Sequence, residues 1–105
     1  MNTQNQQGDV LFEQLNQLPK DLIEVLRPAR GYVLAEGEVT GHAHRVQDEI
    51  RLYRDSDGQM YLKADKPFTV LHEEHKSIRF LPGIFRVWRV REYDHIKEIS
   101  RRVAD

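Results

Sequence analysis

The sequence contains no cysteine, and this absence excludes several kinds of chemistry at once. Disulfide bonds, thiolate nucleophiles, iron–sulfur clusters and cysteine-type zinc sites all need thiols. Long hydrophobic runs are also missing, since no stretch approaches the roughly 20 apolar residues of a membrane-spanning helix. Serine nucleophile elbows and glycine-rich phosphate loops are absent too. We therefore expect neither a disulfide scaffold nor a membrane-spanning protein.

A large net charge is lacking as well. The 105 residues are 31% charged and 39% hydrophobic, with a net charge of −1. A chain so close to neutral has no general electrostatic attraction to nucleic acid, so we do not expect a nucleic-acid partner. The start of the chain has neither basic residues nor an apolar run, so we predict no secretory signal and a cytoplasmic location. The length predicts a single domain over residues 1–105.

The basic residues are concentrated near the C-terminus. The chain has 8 basic and 13 acidic residues up to position 75, but 8 basic and 4 acidic residues after it. A candidate patch for a nucleic acid or another partner mixes cations with an aromatic ring in this region, at Arg86, Trp88, Arg89 and Arg91. The alternative is that Trp88 belongs to the core and the arginines lie on solvent-facing sides of strands.

Glycines and prolines divide the chain into runs of four to nine residues that are rich in β-branched and aromatic side chains. This spacing predicts an all-β domain of about seven to eight short antiparallel strands. A small barrel or two packed sheets would avoid long open edges. Residues 1–8 are predicted to form a polar N-terminal arm. Residues 94–105, with Asp94 as N-cap, are predicted to form a short terminal helix or a frayed tail.

The clearest single element is a hairpin over residues 50–64, because two alternating segments flank an Asp-Ser-Asp-Gly turn. Residues 21–26 fit a helical turn as well as a strand. The longest predicted strand covers residues 84–92, where apolar residues occur on both parities. Either a β-bulge near Val87 or burial on both faces would account for that pattern.

Four of the five histidines occur in two short clusters, Gly41-His42-Ala43-His44 and His72-Glu73-Glu74-His75. On a strand, His42 and His44 would point to the same face, about 7 Å apart. Two imidazoles on one face need only a further ligand from a neighbouring strand to hold a transition metal. The predicted metal ligands are His42, His44, His72 and His75, with Glu49, Glu73 and Glu74 as additional candidates.

Such a site would take one divalent transition metal: zinc, iron, nickel or manganese. An open coordination position would let it activate water or bind a small-molecule ligand, and whether the metal is catalytic stays open. Histidines that are structural, or that sense pH, are the alternatives. A non-enzymatic interaction module is the alternative function. Unprotected strand edges also favour a symmetric homodimer in either case.

Residues 37–49 resemble the first sequence motif of the cupins, in which a glycine precedes His-x-His and a glutamate. His42, His44 and Glu49 match the His-x-His-x4-Glu part, and Pro82-Gly83 is similar to the turn of the second motif. In cupins these two histidines and the glutamate hold a metal together with a histidine after that turn. The resemblance implies a cupin-like sandwich in which His72 or His75 supplies that last ligand.

A broader resemblance covers nearly the whole chain. The start Gln7-Gly8-Asp9-Val10-Leu11, the segment from Leu34 to His44, the cluster His72-Glu73-Glu74-His75-Lys76 and Arg91-Glu92-Tyr93-Asp94 are similar to a family of short uncharacterised bacterial and phage proteins. The resemblance brings no established activity. It implies an accessory role encoded on mobile DNA.

Overall fold

The computed structural model describes residues 5–36 and 41–104 of the chain. Within these residues it contains ten strands, paired antiparallel, and a C-terminal helix. The strands are β1 (Gln6–Gln7), β2 (Val10–Leu15), β3 (Ile23–Val25), β4 (Tyr32–Glu36), β5 (Ala43–Val46), β6 (Arg51–Arg54), β7 (Met60–Ala64), β8 (Phe68–Val70), β9 (Ile78–Phe80) and β10 (Gly83–Arg89), and the helix is α1 (Val90–Ala104). The predicted all-β class with a C-terminal helix is confirmed.

The strands form three sheets in the described part of the chain. Six strands lie in the order β1-β2-β10-β7-β6-β3, and β4-β5 and β8-β9 form two-stranded sheets. These sheets are not closed into a barrel, so the barrel that the sequence suggested is wrong. The edge strands of the large sheet have only two and three residues, and neither pairs with the opposite edge.

The core joins the large sheet to the β8-β9 hairpin through phenylalanine side chains. The ring of Phe80 lies 4.8 Å from Phe12, 5.1 Å from Phe68 and 5.3 Å from Phe85, measured between ring centroids. All four side chains are buried. Because each buried phenylalanine contributes about 1.5–3 kcal/mol of hydrophobic stabilisation, these contacts fix β8 and the loop after it against the sheet.

The predicted hairpin over residues 50–64 is confirmed as β6 and β7, with Leu52 opposite Leu62. Its turn is held by Asp55, which accepts hydrogen bonds from the backbone amides of Asp57 and Gln59. The ambiguous residues 21–26 contain strand β3 rather than a helical turn.

The longest strand ends earlier than predicted, and it is buried on both faces. β10 pairs with β2 in continuous register from Ile84 to Arg89, so the suggested bulge near Val87 is wrong. Val87 faces the core, whereas Trp88 on the opposite face lies against Arg86 and its Nε1 donates to Glu13 (2.9 Å). Burial on both faces therefore explains the imperfect alternation.

The helix begins at Val90, four positions before the predicted N-cap Asp94. The Val90 amide still donates to the carbonyl of Asp9 (2.7 Å), so the chain passes from strand to helix without a loop. The predicted polar arm contains β1, and Gln7 within it is buried. Residues 1–4 of that arm and residues 37–40 of the cupin-like motif lie outside the described residues. In the part of the chain that is described, no helix is long and apolar enough to cross a membrane.

Candidate metal centre

The candidate site lies where β5 and the residue before it meet the loop after β8. The Arg45 amide donates to the Leu71 carbonyl (2.9 Å), and the Leu71 amide donates to the Arg45 carbonyl (2.8 Å). One step along this antiparallel alignment, His44 lies beside His72, with ring centroids 4.5 Å apart. The backbone pairing therefore brings the two histidine clusters of the sequence together.

A second step along the same alignment places Glu73 beside β5. The Ala43 amide donates to Glu73 Oε1 (2.8 Å), and Arg45 Nε lies 3.9 Å from Glu73 Oε2. The hydrogen bond from Ala43, with a smaller contribution from the charge of Arg45, lowers the pKa of Glu73. The site consequently contains an ionised carboxylate at neutral pH.

His42, His72 and Glu73 together form the ligand cluster of this site. Each residue offers one donor atom, and the three atoms lie within 4.8 Å of one another. The two histidine rings meet edge to face at 5.7 Å, and both are half-buried, whereas Glu73 is exposed. Donor atoms around one ion are about 3.4 Å apart when each bond is about 2.1 Å. Small side-chain rotations would therefore bring the ligand cluster around an ion.

Glu74 orients His42. His42 Nδ1 lies 3.4 Å from Glu74 Oε1, as the backbone alignment requires. A carboxylate on one ring nitrogen favours the tautomer that carries its proton there and leaves the lone pair on the other nitrogen. With the proton on Nδ1, the lone pair of His42 would be on Nε2, which would then be the nitrogen that binds a metal.

The loop after β8 closes on His72. Its Nδ1 accepts hydrogen bonds from the backbone amides of Glu74 (3.1 Å) and His75 (3.3 Å). In a neutral imidazole the proton then resides on Nε2. Coordination of His72 at either nitrogen would disturb this arrangement, because Nδ1 would be occupied or would become protonated. The amides of Glu74 and His75 are accordingly local reporters of coordination.

His44 is held differently from His42, although both were predicted as ligands. The side-chain amide of Gln7 donates to the carbonyls of Val70 (3.0 Å) and Lys76 (2.8 Å), so its oxygen faces His44 Nδ1 at 2.8 Å. Since that oxygen only accepts, His44 Nδ1 carries a proton. Gln7 thereby ties His44 to both ends of the loop after β8.

The other nitrogen of His44 faces a carboxylate. His44 Nε2 lies 3.5 Å from Asp9 Oδ1, and the side chain is only 1% exposed. Burial and the neighbouring His72 lower the pKa of His44, although Asp9 opposes the shift. His44 is therefore a buried imidazole held between Gln7 and Asp9, and it does not belong to the ligand cluster.

The fourth histidine ring of the group is that of His75, which is exposed. Its ring lies 4.6 Å from that of His72 and is stacked at 6.2 Å on that of His44. The ring covers Gly8, where a β-carbon would lie 2.6 Å from His75 Nε2. The structure therefore brings all four predicted histidines together, but His75 packs on the backbone outside the ligand cluster.

Glu49, the additional ligand suggested by the cupin-like motif, is separate from this group. It is exposed in the turn before β6, and it makes no hydrogen bond or ion pair to the four histidines in the described residues. The His-x-His-x4-Glu spacing places it beyond β5, whereas Glu73 and Glu74 come from the opposite segment. The carboxylates beside the histidines thus belong to the second cluster of the sequence.

In the candidate basic patch of Arg86, Trp88, Arg89 and Arg91, most side chains contact other residues of the chain. The guanidinium of Arg86 stacks on Trp88 at 3.8 Å from the ring centroid, and Arg89 forms an ion pair with Asp9. Arg91 is exposed on α1. Arg86 and Arg89 thus each contact a neighbouring side chain of the chain itself.

A cleft of about 710 Å³ adjoins this patch, between β4, β10, α1 and the β6–β7 turn. Its charged lining residues are Arg54, Arg86 and Arg89 together with Glu36, Asp55, Asp57 and Glu92. Because the negative charges of the four carboxylates offset the positive charges of the three arginines, the lining does not favour an anionic ligand.

Sequence reasoning missed three contributors to the site: Gln7, Asp9 and Arg45. The resemblance included Gln7 and Asp9 at the start of the chain, but nothing in their spacing related them to a histidine 37 residues away from Gln7. A buried glutamine next to glycine in a predicted polar arm carries no local signal of its partner. Only the tertiary structure identifies these contacts.

Comparison with known proteins adds a family but no activity. Residues 6–90 match a domain of unknown function (DUF8820). The chain belongs to this family. No curated protein matches the chain, and no solved structure matches it. The matched residues include the whole candidate metal centre, with both histidine segments and Gln7.

Proposed function

We propose that this member of the DUF8820 family binds one divalent transition metal through His42, His72 and Glu73. The observation that carries the proposal is the convergence of their three donor atoms within 4.8 Å, from two segments that the Arg45–Leu71 pairing aligns. In this proposal Glu74 orients His42. His44 and His75 pack behind and beside the ligand cluster.

The donor set favours zinc, iron(II), nickel(II) or manganese(II). Two imidazoles with one carboxylate suit these ions, whereas calcium and magnesium prefer sites made of oxygen atoms. Three protein ligands leave at least one coordination position for water or a small ligand. Bound water would become more acidic there, so a hydrolytic or ligand-binding role follows if the metal is held.

The experiment is calorimetric titration of untagged protein with Zn²⁺, Fe²⁺, Ni²⁺ and Mn²⁺, together with mass spectrometry of the metal content after dialysis. We expect about one ion per chain for at least one metal. His42→Ala, His72→Ala and Glu73→Gln should each weaken binding by more than tenfold, and Glu74→Gln should weaken it less.

His95→Ala and Glu49→Gln are the matched controls, because His95 and Glu49 are exposed and lie outside the ligand cluster. Both should bind like the wild type. Circular dichroism establishes that each variant is folded. If folded His42→Ala and His72→Ala proteins keep the wild-type affinity, or if no metal is bound by the wild type, the proposal is wrong.

A second readout places the ion. On addition of Zn²⁺ or another bound diamagnetic ion, the backbone amide signals of Glu74 and His75 should shift in nuclear magnetic resonance spectra, because their acceptor on His72 changes. Signals from the β6–β7 turn, for example from Gly58, should not move. Binding that shifts other regions and leaves the loop after β8 unchanged would assign the ion elsewhere.

A further inference from the structure

The edge strand β3 is an unusual surface for this chain. It pairs with β6 on one side, and none of the described strands pairs with its other side. Two aliphatic side chains at this edge are strongly exposed, Ile23 by 74% and Leu26 by 87%. Open edges with exposed aliphatic residues invite pairing with another strand. Pro19 and Pro28 limit the available segment to one strand length.

The hydrogen-bond pattern of the sheet identifies which backbone groups face outward. The Asp55 amide donates to the Gln59 carbonyl (3.0 Å), which makes this couple a hydrogen-bonded pair of the β6–β7 ladder. Hydrogen-bonding direction alternates along antiparallel strands, so Arg54 and Leu52 direct their backbone groups toward β3.

The partners of those two residues on β3 are Ile23 and Val25, respectively. Their backbone groups therefore face inward, to β6. The amide and carbonyl of Glu24, between them, face the open edge, and by the same alternation so do those of Leu22 and Leu26. These outward groups, centred on Glu24, have no strand partner among the residues that the structure describes.

We propose that a second copy of this chain pairs with β3 across a twofold axis centred on Glu24. A twofold axis at a hydrogen-bonded pair requires an outward-facing residue at its centre, and Glu24 meets that condition. In this register Ile23 lies opposite Val25 of the second copy, and Leu22 lies opposite its Leu26. Each strongly exposed aliphatic side chain of the edge would thus be covered by an aliphatic side chain of the other copy, Ile23 by Val25 and Leu26 by Leu22, and the large sheet would continue across the axis.

The charges at the two ends also agree with this register. Asp21 precedes the segment and Arg27, whose Nη2 donates to the Gln47 carbonyl (2.7 Å), follows it, so an antiparallel arrangement places opposite charges beyond the two ends of the ladder. The two Glu24 side chains, in contrast, meet at the axis and repel each other. We therefore expect a weak, concentration-dependent dimer whose affinity is limited by Glu24.

This repulsion gives a test with opposite expected outcomes from one position. Glu24→Gln should tighten the dimer severalfold, because it removes the like charges and keeps the backbone ladder. Glu24→Pro should abolish it, because proline removes the central outward amide while the hydrogen bonds to β6 come from Ile23 and Val25. Sedimentation equilibrium between about 5 and 500 μM measures both effects.

Leu26→Lys is the second disrupting variant, since an 87% exposed side chain has little part in folding the monomer. It should weaken association by more than tenfold. The measurements are made with a chelator present, so they do not depend on metal binding. A wild-type protein that is monomeric throughout, or a dimer that Glu24→Pro and Leu26→Lys leave unchanged, would overturn the proposal.

Discussion

Arg45 in β5 and Leu71, directly after β8, exchange two backbone hydrogen bonds of 2.9 and 2.8 Å. This pair aligns β5 with the loop after β8, residue by residue, over the whole candidate metal centre. Every contact between the two histidine clusters depends on the alignment. The pair is therefore the structural element that converts two separate sequence clusters into one site.

Removing one of these hydrogen bonds should weaken the site without touching a ligand. Leu71→Pro deletes the amide that donates to Arg45 and leaves that carbonyl unpaired, at a cost of about 1–3 kcal/mol in the free energy of unfolding. The segments should separate enough to lower metal affinity by at least tenfold. Urea unfolding and metal titration measure the two effects.

Leu71→Ala is the matched control for this variant, because it shortens the side chain and keeps the amide. It should retain nearly wild-type metal affinity. Equal metal affinities for the alanine and proline variants would show that the backbone pair does not align the ligands.

Gln7 should contribute strongly to stability, although it lies in the predicted polar arm. Gln7→Leu would leave His44 Nδ1–H and the carbonyls of Val70 and Lys76 without their partner in a buried region. We expect a loss of about 3 kcal/mol in the free energy of unfolding. Chemical denaturation followed by Trp88 fluorescence provides the measurement.

Gln17→Leu serves as the comparison for this glutamine, because Gln17 is exposed in the bend after β2. Its effect should stay within about 0.5 kcal/mol. Similar losses in both variants would mean that the buried hydrogen bonds of Gln7 contribute little to folding.

The sequence predicted those features that depend on neighbouring residues. Alternation and an Asp-Ser-Asp-Gly turn predicted the β6–β7 hairpin, because these signals act within fifteen residues. The all-β class followed from the short spacing of glycine and proline. The His-x-His and His-Glu-Glu-His clusters identified the residues that the structure gathers, since their spacing is itself local.

The features that escaped prediction depend on contacts between distant segments. The alignment of Arg45 with Leu71 decides that Glu73 and Glu74, rather than Glu49, lie beside His42. No local pattern encodes that choice. At the helix start, the Val90 amide similarly donates to the carbonyl of Asp9, in the turn before β2, whereas Asp94 alone matched a capping signal.

Gly8 should be intolerant of a side chain. It has a φ of +56°, and a β-carbon would lie 2.6 Å from His75 Nε2. In Gly8→Ala, the left-handed backbone should lower the free energy of unfolding by about 1–2 kcal/mol. The added methyl group should also displace the His75 ring from His72. Gly58→Ala separates these effects, since Gly58 has a φ of +83° and nothing within 4 Å of its β-carbon position.

We expect Gly8→Ala to destabilise the protein more than Gly58→Ala does. Only Gly8→Ala should move the imidazole proton signals of His75 and His72 in nuclear magnetic resonance spectra. Unchanged histidine signals in Gly8→Ala would contradict the packing of His75 on this glycine.

The ion pair between Asp9 and Arg89 predicts a pH dependence of stability. Partial burial opposes ionisation of Asp9, but the hydrogen bond and charge of Arg89 outweigh it and lower the pKa of Asp9 below its ordinary value of 3.8. A carboxyl with a lowered pKa stabilises the folded state above its unfolded pKa, and this stabilisation is lost as the pH falls through the folded pKa. Since both side chains are more than one third exposed, the contribution at pH 7 should be at most about 1 kcal/mol.

Asp9→Asn should accordingly be less stable than the wild type at pH 7, and the difference should shrink as the pH falls below about 4 and Asp9 becomes protonated in the folded state. Urea unfolding at a series of pH values measures this difference. Asp65→Asn, at an exposed aspartate after β7, should show a smaller difference at pH 7. A deficit for Asp9→Asn that stays constant down to pH 2 would mean that the lost contact does not depend on the charge of Asp9, and the effect would then come from packing against His44.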